Sequence, residues 1–307
     1  MKFTGVFFLT FLLAPLWAEA EEKPEIKAKS PWEFSGGLSG TESLNTGSAA
    51  ETFYWGPFFK GTFEFSDPLR ARLGVRHTQN RFIYDGLGGL AKQSNTAISP
   101  AVNWEITESI SIDAEYTFRF GENQYSENGG VLAIEYAGLR ILRLSLDGYY
   151  NQLRYQFPVT ETKVSVRGFG GSLETAFLLS KQIEIPLLLS YMSSRYNTNG
   201  TTYNARTVTP GFTYRTNDRA WGFTAAGVLG SDSSNYSILG FEGRIRYYAT
   251  ESISIRLSGA LNHYSYTAPK TPRGGKAVTA TDNVSPLGNS EAFDIANIGL
   301  EVSYAFQ

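Results

Sequence analysis

Large apolar side chains fall on one parity along most of this chain. Phe53, Trp55, Phe59, Phe63 and Phe65 share a parity, and Tyr54, Lys60, Thr62 and Glu64 occupy the other. A strand points successive side chains to opposite faces, so this alternation predicts a strand that is apolar on one side and polar on the other. After Ser66-Asp67-Pro68 the pattern resumes, with Leu69, Ala71, Leu73 and Val75 opposed by Arg70, Arg72 and Arg76. It recurs through Ile110, Ile112, Ala114, Tyr116 and Phe118, through Ile183, Ile185, Leu187 and Leu189, and finally through Ile298, Leu300, Val302, Tyr304 and Phe306. From Trp32 to Phe306 the pattern predicts about 14 strands. No segment after the first twenty residues carries a helical period.

The connections are of two kinds, and they alternate. Short ones fall near 66–68, 107–109, 137–139, 180–182, 216–219 and 250–252; longer ones fall near 42–51, 79–95, 121–129, 152–163, 197–204, 230–235 and 266–291. Such asymmetry is expected of a barrel in an outer membrane, with tight periplasmic turns and longer external loops, and a two-sheet sandwich gives no reason for it. Two local repeats agree with this register. Thr107-Glu108-Ser109-Ile110-Ser111-Ile112 recurs as Thr250-Glu251-Ser252-Ile253-Ser254-Ile255, each time entering an upward strand. Ile98-Ser99-Pro100 through Trp104 is echoed by Val208-Thr209-Pro210 through Tyr214 in a downward one. Proline lacks a ladder donor, so a bulge and a change of parity are expected near Pro57, Pro100, Pro186 or Pro210.

The N-terminus predicts an exported chain. Lys2 precedes an apolar run from Val6 to Leu13, and Ala18-Glu19-Ala20 supplies a small-residue cleavage pattern. This divides the chain into a signal peptide over 1–20, a short periplasmic segment over 21–31 and a barrel over 32–307. No later stretch has 18 consecutive apolar residues, so no transmembrane helix is predicted. The chain has 307 residues, 27 Lys plus Arg against 29 Asp plus Glu, 2 His and no Cys. The near-neutral balance argues against nucleic-acid binding, and the missing Cys excludes disulfides and Cys-ligated metal. Mean hydropathy is −0.22 although aromatics reach 14%. Alternation along every strand explains both values, because one whole surface is greasy while the average stays polar.

The last strand carries a known pattern. Asn297-Ile298-Gly299-Leu300-Glu301-Val302-Ser303-Tyr304-Ala305-Phe306 resembles the terminal-strand assembly signal of Gram-negative outer-membrane barrels, with Gln307 one residue beyond the usual terminal aromatic. Strand number and loop style resemble the 14-stranded monomeric OmpG-type porins. The resemblance implies that Gly299, Val302, Tyr304 and Phe306 address the barrel-assembly machinery after passage through the secretion translocon. The expected fold is all-β, a closed antiparallel transmembrane β-barrel, because only a closed sheet pairs every backbone group inside hydrocarbon. Its apolar face meets outer-membrane lipid and lipopolysaccharide, with Trp32, Trp104, Trp221 and Tyr304 at one interface and Trp55 near the other.

The polar parity then lines a lumen. Fourteen strands about 4.8 Å apart and tilted about 40° give a backbone diameter of roughly 28 Å, leaving a channel about 10 Å wide. Glu105, Asp113, Glu115, Glu135, Asp147, Glu174 and Glu184 predict a mainly acidic wall; Lys60, Arg70, Arg72, Arg76, Arg215, Arg244, Arg246 and Arg256 predict a mainly basic one. Opposed walls set up a transverse field suited to small hydrophilic solutes, while mutual pairing of the same charges hydrates or closes the lumen instead. Lys270, Arg273 and Lys276 lie in the longest loop, a candidate gate that is equally readable as a plain surface loop. His77 and His263 fall on the lipid-facing parity with no partner in local sequence, so no catalytic or metal site and no cofactor is predicted. Ser231-Asp232-Ser233-Ser234-Asn235 reads as calcium-binding or as ordinary turn chemistry. The resulting expectation is a passive porin-like channel, with a non-conducting surface adhesin or envelope-structural barrel as the alternative.

Overall fold

The computed structural model describes residues 31–46, 50–84, 89–122, 124–156, 163–197, 200–266 and 292–306. The expected signal peptide, all but the last residue of the segment 21–31, and Lys270, Arg273 and Lys276 lie outside them. Fourteen strands are present: β1 (Trp32–Asn45), β2 (Ala50–Ser66), β3 (Leu69–Tyr84), β4 (Gly89–Thr107), β5 (Ile110–Gly121), β6 (Ser126–Leu139), β7 (Leu142–Gln156), β8 (Lys163–Leu178), β9 (Ile183–Tyr196), β10 (Thr202–Arg215), β11 (Trp221–Asp232), β12 (Tyr236–Tyr248), β13 (Ile253–Tyr266) and β14 (Phe293–Phe306). Each pairs antiparallel with its neighbour in sequence. β1 closes on β14, from Phe34 opposite Phe306 to Asn45 opposite Ile295.

The apolar parity faces outward on all sides. Leu38, Phe65, Leu132, Phe169, Leu239, Phe241 and Leu300, drawn from six strands, are each more than half exposed. A soluble domain does not carry an apolar belt of this extent, and a closed ladder is the one sheet arrangement that tolerates it in lipid. Aromatic clusters mark the periplasmic edge: Trp32 packs on Phe63 with ring centroids 4.3 Å apart, and Trp221 on Tyr247 at the same separation.

The prolines do not shift the register. Trp55 faces Gln79 and Phe58 faces Arg76 on either side of Gly56-Pro57 without an inserted residue, and the β4–β5, β9–β10 and β10–β11 ladders cross Pro100, Pro186 and Pro210 in the same way. Each proline is paired on one side only, so the missing donor interrupts one ladder locally and leaves side-chain parity intact. Gly56 permits a close approach at the first of these breaks, since a Cβ there would sit 1.8 Å from the His77 carbonyl. Register does shift between Glu64 and Ser66, Glu105 and Thr107, and Tyr136 and Leu139, all against periplasmic turns.

Most of the expected long connections are shorter than the pattern predicts. β3 runs to Tyr84 and β4 begins at Gly89, while β1 runs to Asn45 and β2 begins at Ala50. Apolar alternation stops where lipid stops, whereas backbone pairing continues into water. The short turns are held by hydroxyls. Thr107 Oγ1 accepts from the Ser109 N–H at 3.2 Å, and Thr250 Oγ1 accepts from Ser252 and Ile253 at 3.2 and 3.0 Å, so the repeated Thr-Glu-Ser performs one task twice.

Candidate functional site: a lumen in two zones

The fifteen charges expected to line the pore all lie on strands at positions opposite in parity to the lipid-facing residues. That this parity faces a lumen is fixed by ion pairs that skip strands. Arg76 Nη2 on β3 lies 3.8 Å from Glu301 Oε2 on β14, with β1 and β2 between them. Arg143 Nη2 on β7 lies 2.6 Å from Glu184 Oε1 on β9, across β8. Such contacts are open only to side chains inside a closed sheet.

Many of the charges pair with one another, notably at the seams where the expected acidic and basic stretches meet. Arg72 donates to Asp113 Oδ1 at 2.9 Å and stands 3.8 Å from Glu115, while Arg70 sits 3.3 Å from Glu64 and 3.5 Å from Glu105. These residues bring the arginines of β3 against the carboxylates of β2, β4 and β5. On the far side Arg143 is the hub, 3.7 Å from Glu135, 3.6 Å from Glu174 and 2.6 Å from Glu184, and Arg215 reaches Glu184 at 3.4 Å. Arg256 meets Glu301 at 3.7 Å. Arg246 donates to the Tyr248 hydroxyl at 3.1 Å. Asp147 is buried and accepts from the Ser172 hydroxyl. Every one of these groups stands in the periplasmic half or near mid-strand, since the periplasmic ends of the strands carry them.

The extracellular half is lined differently. Val164 and Val166 of β8, Tyr203 of β10, Ile238 of β12, Tyr264 of β13 and Ile295 of β14 are all at most 4% exposed and belong to one apolar cluster on the inner face. Tyr264 stacks on Phe293 at 4.6 Å with planes 3° apart, and Tyr236 meets the same ring edge-on at 5.3 Å. Offset and edge-on contacts of this kind suit aromatic quadrupoles. Polar contacts border the cluster: Tyr203 donates to Asp232 at 3.0 Å and Tyr125 to Glu127 at 3.3 Å, with Arg119 2.7 Å from the same Glu127 oxygen.

A sequence signal for this cluster exists. In β14 the inward residues Phe293 and Ile295 are apolar, then the apolar parity passes to the outward Ile298 and Leu300; β12 does the same between Ile238 and Leu239, and β8 between Val166 and Phe169. Read alone, such a switch suggests a bulge. The continuous β13–β14 and β12–β13 registers show instead that the inner face changes character partway up.

The remaining candidates are absorbed locally. His77 Nδ1 contacts Thr96 Oγ1 at 3.0 Å and His263 Nδ1 contacts Asp294 Oδ1 at 2.8 Å, both on the outward parity. Asp232 Oδ1 accepts from the N–H groups of Ser234 and Tyr236 at 2.8 and 3.0 Å, which is turn chemistry. Among the described residues no group of three or more His, Asp or Glu is placed to hold a metal. Gly299 lies inward against Ser258, while Val302, Tyr304 and Phe306 face lipid.

Solved structures with the same architecture place this geometry in context. A monoaromatic hydrocarbon channel, CymD, matches with a TM-score of 0.56 at 9% identity, covering 90% of this chain and 89% of that one. The fold is that of outer-membrane channels. The Pseudomonas putida toluene transporter TodX matches with a TM-score of 0.53 at 10% identity, covering 91% and 90%. An outer-membrane channel from Pseudomonas putida F1 matches with a TM-score of 0.53 at 10% identity, covering 93% and 100%. No protein-family model and no curated protein sequence matches the chain.

Proposed function

We propose that this chain is a passive channel of the bacterial outer membrane for small solutes that join an apolar, ring-sized body to a polar or charged group. The observation that carries this reading is the two-zone interior, an apolar and tyrosine-rich extracellular half above an ion-paired periplasmic half. An apolar pocket with a few placed polar groups selects orientation as well as size. Two proteins of like fold transport or conduct aromatic hydrocarbons by their own descriptions, which supports the aromatic body of the solute. Export by the N-terminal segment and insertion through Gly299, Val302, Tyr304 and Phe306 belong to the same proposal. The mechanism is diffusion, with no chemical step.

A second reading has its own observation. Arg70 and Arg76 keep 44% and 49% of their side chains exposed inside the barrel, which favours hydrated solutes guided by the charges alone. Proteoliposomes separate the readings. An anionic aromatic acid, which crosses bare lipid slowly, is expected to enter at least ten-fold faster than a neutral sugar of similar mass. Equal or faster sugar entry replaces the first reading with the second. No flux of either leaves a barrel that acts through its loops as an adhesin or structural element.

A further inference from the structure

The outward face carries a cationic cluster that the lumen does not explain. Arg154 on β7, Lys163 and Arg167 on β8, Arg195 on β9 and Arg206 on β10 are all exposed. Arg167 and Arg195 are direct cross-strand partners, so two guanidinium groups share one face of adjacent strands. Like charges placed directly opposite destabilise a sheet unless something neutralises them. The described carboxylates near these strands are turned inward and engaged, Asp232 with Tyr203, Glu127 with Arg119, and Glu174 and Glu184 with Arg143.

The height of the cluster is informative. Arg206, Arg167, Arg195 and Arg154 stand nine to twelve residues from the periplasmic ends of their strands at Arg215, Leu178, Ile183 and Leu142. At about 2.5 Å of height per tilted residue this is roughly 22–30 Å, the top of an apolar belt about 25 Å tall. Exposed Tyr150, Phe169, Tyr191 and Val208 lie immediately below. Strands β11–β14 present no such cluster at this level; their outward charges are His263 and Asp294, which pair with each other.

From this juxtaposition we propose that the β7–β10 face binds the phosphate groups of an outer-leaflet glycolipid, with the acyl chains lying along the aromatic and aliphatic residues beneath. Guanidinium forks suit phosphate oxygens, and a lipid is the anion that the apolar surface below selects. The inference rests on the membrane-embedded reading of the outward face, not on what crosses the lumen.

The test uses the full chain in detergent micelles, titrated with bis-phosphorylated lipid A, with its dephosphorylated form and with inorganic phosphate, and read by native mass spectrometry. The phosphorylated lipid is expected to bind at least ten-fold tighter than the dephosphorylated one, with no displacement by millimolar phosphate at constant ionic strength. Replacing Arg154, Arg167, Arg195 and Arg206 with Gln should abolish that preference, each arginine contributing up to about five-fold to the affinity for the phosphorylated lipid. Ser165→Glu, which supplies an internal carboxylate opposite Arg154 and leaves all the arginines in place, should also weaken it. Arg81→Gln, on the distant β3, should not. Equal binding of the two lipids, an unchanged quadruple variant, or ready displacement by inorganic phosphate overturns the proposal. Heat-dependent gel mobility reports folding of each variant, and solute flux in phosphatidylcholine vesicles should be the same for variant and parent, which keeps failure here distinct from failure of the channel reading.

Discussion

The two halves of the lumen solve the same problem by opposite means. In the periplasmic half, Arg143 is only 18% exposed and gathers Glu135, Glu174 and Glu184, whose charges would otherwise repel one another. In the extracellular half, Tyr264, Phe293 and Tyr236 fill space by ring contact and involve no ion pair. Charge pairing is directional and tolerates water, whereas ring packing excludes it. On the proposed reading, a solute that moves from one zone to the other exchanges an apolar surface for a polar one.

The largest expected effect comes from breaking the hub. Arg143→Met leaves three carboxylates without their shared cation and only Arg215 beside Glu184. It should cost about 4 kcal/mol, read as a lower urea midpoint in lipid vesicles. Adding Glu184→Gln should restore part of that loss, because one of the stranded charges is then gone; no recovery would mean that the carboxylates are independently solvated. On the other side of the comparison, Phe293→Ala removes the ring on which Tyr264 stacks and should cost about 3 kcal/mol. The same variant should raise single-channel conductance, and an unchanged conductance would place the narrowest point in the ion-paired half.

A smaller effect sharpens the role of the half-exposed charges. Replacing Arg70, Arg72, Arg244 and Arg246 with Ala should move reversal potentials in a planar bilayer toward cation selectivity, with stability changes below about 1 kcal/mol per exposed pair. An unaltered reversal potential would remove the guiding-field account. The smallest effect lies outside the membrane, in the β10–β11 turn. The Thr216 hydroxyl, 2.5 Å away, and the Ala220 N–H, 3.0 Å away, hold the Asp218 carboxyl below its ordinary value of 3.8. A depressed carboxylate contributes above its unfolded value and loses that contribution as pH falls through the lower folded one. Thr216→Val should therefore bring the Asp218 titration back toward 3.8 by NMR, and an unmoved titration would leave the backbone contact as the cause.

How much of this was legible from residues alone varies by zone. The outward parity was readable at nearly every strand, because Leu38, Phe59, Leu132, Phe241 and Leu300 answer to lipid and to nothing else. The charged positions were readable as inward for the same reason. Their partners were not. Arg76 and Glu301 are 225 positions apart in sequence and meet at 3.8 Å only because β1 closes on β14. The apolar upper lumen left a trace, the switch from Ile238 to Leu239 and from Ile295 to Ile298, but that trace is indistinguishable from a bulge until the register is known. The prolines show the converse, since a real local defect at Pro57 or Pro100 has no consequence for parity.

The sequence by itself determined the class of structure: alternation at period two, without a helical period, admits only strands, and strands greasy on one face need a closed sheet in lipid. It also determined the number of strands and which end of each is short-turned, because hydroxyl-capped turns are local. Only the tertiary structure decided which charges neutralise one another and where the lumen turns from polar to apolar. Those outcomes depend on distances between strands far apart in the chain, and barrel closure brings them together.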